Sequence, residues 1–565
     1  MKKMVRMLSL LLALAMVLSM AACGSSSSAP AATTGGSTGD STTVSANDNG
    51  YVVIGQTSEV ANLNPMEYPR TPDSNVQNLI FSFLVKPDAS LNYEPDLAES
   101  WDISDDGTVY TFHLRKDVKW HDGEPFTADD VVFTLTSLAH PDYVGGNEGR
   151  VMDIVGASEV QEGTATEISG LKKVDDYTVE ITMKAPNAAF MANMYTAILP
   201  EHILSSESPA DWANDSFNRA PIGTGKYKFV EWKAGQYIRL ERNEDYFGEK
   251  PSIQEVTVLF GDETTLTAAL LNGEIDVMYG VPTAEVQNVE AAPNVNIFTY
   301  SQMTVYYIGF NLLNDVVSDI RVRQALAHGI DKQKIVDTVF GDGMAYPCED
   351  IFPTIHWSHT DDVTVYEYNP DLSKSLLEEA GYTMGSDGYF QKDGKRLHVV
   401  YDMSTSSTGE AIATMLQQQW KDIGVEMEVI TQDFSTLAFT KLLPDSGNAE
   451  TTGDSYMMYT LGFGVEVDPN EYNAYLSTST GAGSWNFGHY SNPKIDELFN
   501  QSLLATDPEE RADIYHQIAK VESDDLYWIP MYGTTGVAGV GSRVQDFTCD
   551  FRGITFQIEK WNVTD

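Results

Sequence analysis

Cysteine is nearly absent: the 565 residues carry three, at positions 23, 348 and 549. So few thiols exclude a disulfide-stapled scaffold and leave no Cys-x-x-Cys pair for a structural zinc site. An exported chain could pair Cys348 with Cys549, although nothing else in the sequence supports a bridge. No His-Glu-x-x-His occurs and the ten histidines are scattered, so neither a metal site nor a cofactor is expected. Basic residues are also in deficit, with 35 Lys and Arg against 82 Asp and Glu and a formal net charge of −47. A surface so acidic repels nucleic acid and anionic headgroups, which removes both as ligands. Its plainest meaning is solubility outside the cell. Long apolar runs are missing beyond the N-terminal segment, so no transmembrane helix is expected there. With this many acids, carboxylate pairs arise by chance. A glycosidase or other secreted hydrolase therefore has no specific support, no P-loop stands out, and no catalytic residue is assigned.

What is present begins with a targeting segment. Lys2, Lys3 and Arg6 precede the apolar run from Leu8 to Leu18, and the small residues Ala21 and Ala22 precede Cys23. That order reads as a secretory signal over 1–22, because a span needs roughly 20 apolar residues. Met20-Ala21-Ala22-Cys23-Gly24 resembles a bacterial lipobox, with Met20 where leucine is usual. The resemblance implies lipidation of Cys23, so that acyl chains alone contact the membrane. Residues 23–49 are rich in Ser, Thr, Gly and Ala without apolar periodicity, the composition of a flexible tether. The folded part then starts near Tyr51 and is long enough for at least two lobes.

Local punctuation is clear. Asp105-Asp106-Gly107 between β-rich runs predicts a tight hairpin into Val109–Leu114, and His121-Asp122-Gly123 predicts a second turn. Thr127 and Asp130 stand three apart before Val131, Val132, Phe133 and Leu135, a capping-box helix start. Val322, Ala325, Leu326, Gly329 and Ile330 form one buried helical stripe. Asn369-Pro370, Asn492-Pro493 and Asp507-Pro508 each predict a helix N-terminus, and Gly381 ends the first of these helices. Short β-rich segments at 397–401, 425–430 and 456–461 alternate with them, which predicts an α/β layered domain with a largely parallel sheet.

A series of longer stretches carries a family resemblance. They include Leu97-Ala98-Glu99-Ser100-Trp101, Thr111-Phe112-His113-Leu114-Arg115, Trp120-His121-Asp122-Gly123 and Thr127-Ala128-Asp129-Asp130-Val131. Pro221 to Tyr227, Arg242-Asn243-Glu244-Asp245-Tyr246, Asn272-Gly273-Glu274-Ile275-Asp276 and Gly309-Phe310-Asn311 follow in order. Val322-Arg323-Gln324-Ala325-Leu326 and Tyr490-Ser491-Asn492-Pro493 complete the set. Each is weak alone; together they resemble the extracytoplasmic solute-binding proteins of family 5, the dipeptide, oligopeptide and nickel-binding group.

The resemblance implies an α/β, two-lobed periplasmic-binding-protein-like fold of type II with a hinged cleft and an extra subdomain. Lobe one is expected at 50–83, 206–305 and 530–565, the subdomain at 84–205, and lobe two at 306–529. The chain would cross between lobes near Tyr306 to Asn311 and again near Tyr527 to Tyr532, and lobes so joined can close over a ligand. The implied role is capture of a small peptide, by a monomer, for the permease subunits of an ABC importer. An oligosaccharide, a nickel chelate or haem are the alternative ligands, and a receptor that feeds no import is indistinguishable by sequence.

In peptide-binding members a carboxylate after a Gly-aromatic turn on lobe two receives the ligand ammonium. Here the matching stretch is Gly462-Phe463-Gly464-Val465-Glu466-Val467-Asp468-Pro469. Glu466 stands where the family has Asp, Phe463 where it has Trp, and Asp468 is the nearby alternative acid. A buried ammonium needs such an anion. The loop containing Glu67 and Tyr68 resembles one that faces the cleft, and Trp485 and Asn486 are candidates for the pocket floor.

Overall fold

The computed structural model describes residues 50–67, 70–446, 453–470, 472–479 and 484–564. The signal, the tether, Cys23 and Tyr68 lie outside the described residues.

The backbone of the molecule is one continuous eleven-stranded mixed sheet. In lobe one Tyr51–Gln56 sits between Glu255–Phe260 and Val277–Tyr279, parallel to both, and Tyr237–Arg242 and Tyr227–Lys233 extend the edge antiparallel. In lobe two His398–Ser404 runs parallel to Glu426–Gln432 and to the start of Met458–Gly464. Two long strands, Val295–Phe310 and Trp528–Gly541, pair antiparallel with each other and run through both lobes.

The expected largely parallel sheet is therefore only half correct. Parallel pairing appears where a helix such as Ser407–Asp422 makes the crossover. It gives way to antiparallel pairing where the two lobe-spanning strands enter.

The ladder between those strands slips twice, between Ser301 and Val305 and again between Tyr306 and Tyr307. At the first slip Ser301 faces Thr535 and Val305 faces Gly533, so residues 302–304 oppose Thr534 alone; at the second Tyr306 faces Tyr532 and Tyr307 faces Pro530. The second slip falls at Tyr306, the first of the two predicted hinge residues. The Tyr306 ring is stacked on that of Tyr532 with centroids 4.8 Å apart. Asn311 is buried past the strand end and donates to the carbonyl of Tyr456 at 3.1 Å.

Burial follows this plan. Lobe two carries one apolar cluster on each face of its sheet, around Leu326, Leu416 and Trp420 on one side and Tyr459, Tyr475 and Phe499 on the other. Lobe one and the 84–205 segment share one cluster, from Val52 and Leu79 to Phe112, Leu135 and Phe190, and lobe one has a second around Val53, Leu266 and Met278. Within that segment a four-stranded antiparallel sheet holds the predicted hairpin, whose Gly107 turns at φ 68°. Thr127 and Asp130 make the predicted capping box on Ala128–Leu138. Asn369, Asn492 and Asp507 cap their helices as expected. The segment also reaches across to lobe two, where the Ala188 amide donates to the Leu503 carbonyl at 2.8 Å. Cys348 is buried and Cys549 partly so, and both are free thiols, which removes the disulfide considered above. Among the described residues no helix is long and apolar enough to cross a membrane.

Candidate functional site: a cleft along the lobe-two strand edge

Three adjoining cavities run along the seam between the lobes. The first, about 310 Å³, lies between Glu466 of lobe two and Arg150, Tyr93 and Asn78 of lobe one and its subdomain. The second, about 680 Å³, shares Ser74, Asn78, Met303 and Arg552 with the first. The third, about 610 Å³, meets the second at Thr304 and Tyr306 and continues into lobe two.

The strand Met458–Gly464 forms the lobe-two wall. The Val465 amide donates to Met303 at 2.7 Å, so Phe463 and Leu461 also turn their backbone groups toward Val295–Phe310. In an antiparallel ladder the alternate residues then face away. Those residues are Gly462 and Gly464. On that side His398–Ser404 pairs only with Met458 and Tyr459, so among the described residues Gly462 and Gly464 stand at an open strand edge. Both are solvent-exposed and both line the third cavity. Phe463 points the other way, its ring 5.1 Å from Trp528 and 6.3 Å from Tyr475. It supports the wall and does not line the cavities.

Glu466 is exposed and its carboxylate pairs with no cation among the described residues. Its main chain is held from behind. His356 Nε2 lies 3.1 Å from the Glu466 carbonyl and 3.3 Å from that of Val467, while Nδ1 accepts from the Ser358 amide at 3.1 Å. These bonds suit a neutral imidazole that donates from Nε2, and burial pushes its pKa down to about 4.

Two predicted contacts are corrected. Asp468 is buried and bound through both carboxylate oxygens to Arg511, whose own burial requires that anion. It has no charge left for a ligand. Asn486 is also buried; its amide donates to the carbonyls of Leu476 and Tyr490 at 3.1 and 2.8 Å and accepts from the Tyr490 amide and the Tyr527 hydroxyl. Every polar atom of that side chain is spent on the loop itself. Trp485, 40% exposed, packs 5.4 Å from Phe487 and lines none of the three cavities. Glu67 is half-buried, which raises its carboxyl pKa, and the cavity wall is made by its neighbours Pro65 and Met66.

Several lining groups were not anticipated. Ser74 and Asn78, one turn apart on Thr71–Ile80, line the first two cavities, and their side chains have no hydrogen-bond partner among the described residues. A polar i, i+4 pair beside the buried Val76, Leu79 and Ile80 was the available signal. The Tyr93 hydroxyl is buried without a partner, and burial, reinforced by Asp468 and Glu466, raises its pKa. Arg150 donates to the Tyr195 carbonyl at 3.0 Å and pairs with no carboxylate among the described residues. The first cavity thus sets an uncompensated anion from lobe two opposite an uncompensated cation from the subdomain. No group of three or more metal-ligating side chains occurs among the described residues.

Known proteins share this architecture. Residues 92–485 match the family described as bacterial extracellular solute-binding proteins, family 5 Middle. The oligopeptide-binding protein AppA of Bacillus subtilis is 31% identical over 91% of each chain. Its structure in complex with a nonapeptide superposes with a TM-score of 0.74, at 30% identity, covering 91% of this chain and 99% of that one. The heme-binding protein A of Haemophilus influenzae is 29% identical, covering 81% of this chain and 82% of its own. NikZ of Campylobacter jejuni in complex with Ni(L-His) gives a TM-score of 0.75 at 28% identity, covering 91% and 100%. The two lobes joined by paired strands, the cleft between them and the match over most of the sequence lead to one conclusion: the chain belongs to the bacterial extracellular solute-binding proteins of family 5.

Proposed function

We propose that the protein captures an extended peptide between its lobes and hands it to the permease of an ABC importer. The carrying observation is the open edge at Gly462 and Gly464 beside the unpaired carboxylate of Glu466. A strand edge with free N–H and C=O groups accepts another extended main chain, and side-chain pockets along it select residues. Glu466 answers the ligand's α-ammonium, and Arg150, with the unpaired Tyr93 hydroxyl, answers carbonyl or carboxylate oxygens. Ser74 and Asn78 supply amide and hydroxyl partners from lobe one. A ligand bonded to both walls favours the shut arrangement of the lobes over the parted one, which is how binding becomes a signal to the permease. The linked cavities together exceed the roughly 300–1,000 Å³ of an ordinary small-ligand site, which supports a ligand of several residues over a single chelate. Attachment through a lipidated Cys23 would keep the loaded protein at the outer face of the cell membrane, with residues 23–49 as the tether.

The deciding experiment is mass spectrometry of whatever is released when the purified protein is denatured, followed by calorimetry with the identified compound. Peptide masses and matching binding heat are expected. A haem, a metal chelate or a sugar in their place would overturn the reading.

A further inference from the structure

The third cavity differs in character from the other two. The first contains Arg150, Glu466 and Arg552, whereas no charged residue among the described residues lines the third. That absence stands out in a chain with 82 acidic residues. Hydroxyl residues, among them Ser404, Ser406, Thr408 and Thr460, line part of this cavity, and the rest is aromatic and apolar: Tyr306 stacks on Tyr532, and the Phe340 ring centroid lies 4.8 Å from that of Tyr532. Tyr401, Met403, Ile412 and Met531 are buried around them. At the rim Phe434 is 51% exposed, its ring 5.9 Å from that of Phe439. Phe434 stands just before the π-helical turn Thr436–Leu442, a rare geometry that recurs at functional sites.

Two facts tie this cavity to the ligand path. Gly462 and Gly464 belong both to the open strand edge and to the cavity wall. In addition, Thr304 and Tyr306 are common to this cavity and its neighbour in the cleft. A main chain laid along the edge would send alternate side chains to opposite faces, one of them into this space.

We propose that the third cavity is a specificity subsite for one uncharged apolar or aromatic side chain of the peptide, with Phe434 as its rim contact. This rests on the reading of the cleft as a site for extended peptides. A charged side chain here would lose its hydration and find no counter-ion, whereas an apolar one exchanges water for packed carbon. Met403 and Met531, unbranched and adaptable, let the wall fit more than one apolar shape.

Calorimetry with alanine pentapeptides carrying Phe, Leu, Lys or Glu at each position in turn tests this. At one position Phe or Leu should bind roughly tenfold or more tighter than Ala, while Lys and Glu gain nothing. Thr408→Trp, which fills the cavity from the start of the helix Ser407–Asp422, should bring that Phe-to-Ala ratio toward one. Phe434→Ala should lower the same ratio, and it carries the test should Thr408→Trp melt abnormally, since the Phe434 ring is half in solvent. Pentapeptides that bind with no apolar preference at any position would overturn the subsite and leave the peptide reading standing. So would a preference that both folded variants retain. Absence of binding by every pentapeptide would overturn both.

Discussion

Arg511 holds the carboxylate of Asp468 through both terminal guanidinium nitrogens, the Nη2–Oδ1 bond measuring 2.8 Å, two residues beyond the exposed Glu466. The two acids of one short loop therefore do different work, one structural and one facing the cleft. Asp468→Asn should cost about 3–5 kcal/mol of stability, because it strands a buried guanidinium. Glu466→Gln should leave thermal melting unchanged and weaken a peptide ligand by roughly 2–5 kcal/mol. Melting curves and calorimetry on both variants separate the roles; equal ligand loss without destabilisation in both would contradict the division.

The strand edge gives a second prediction. Gly464→Pro removes an amide that faces the cleft, not the Val295–Phe310 ladder, and a side chain there meets only Thr304 Oγ1, at 3.8 Å. Proline is tolerated at such edge positions. Affinity for a peptide ligand should fall by roughly tenfold, the worth of about one hydrogen bond, with little change in melting. Undiminished affinity in calorimetry would show that the ligand does not use this edge.

His356 should act on the site through the loop it supports. Burial lowers its pKa from 6.5 to about 4, so the folded state resists protonation that the unfolded chain accepts. The stability it contributes is present above pH 6.5 and is lost as pH falls through 4. His356→Asn should therefore destabilise the protein most at pH 7, and its melting deficit should shrink on titration toward pH 4. A deficit that stays constant over that range would remove the neutral imidazole from the account.

Glu522 predicts the opposite pH trend. It is 1% exposed and accepts from the Trp528 amide at 3.0 Å, and burial, with Asp350 and Asp525 nearby, raises its pKa from 4.5 to about 8. Its contribution is complete below pH 4.5 and is lost as pH rises through 8. Glu522→Gln keeps the acceptor and removes the ionisation, so the variant should match the parent near pH 4.5 and melt higher at pH 8.5. Differential scanning calorimetry at the two pH values decides it.

Much of the local structure was legible because it depends on neighbours in sequence. The capping box at Thr127 and Asp130 and the hairpin at Gly107 each need only a few adjacent residues. The binding loop could be located by its Gly-Phe-Gly pattern, but choosing between Glu466 and Asp468 required Arg511, which only tertiary folding brings near. Asn486 illustrates the same limit: its amide is saturated by Leu476, Tyr490 and Tyr527, the last of them far along the chain. The two register slips between the long strands could not be foreseen, because such slips leave no mark in composition. Ser74 and Asn78 were overlooked because a polar pair on a helix ordinarily faces bulk water.

The return strand Trp528–Gly541 pairs at its far end with Val277–Tyr279 of lobe one, while its beginning pairs with lobe-two residues of Val295–Phe310. Neither half can complete its core until this late segment has arrived. Folding of the two halves is thereby coupled: residues 528–541 must be in place before the strand order of either sheet region is complete. A substitution that weakens this one strand is therefore felt in both halves at once.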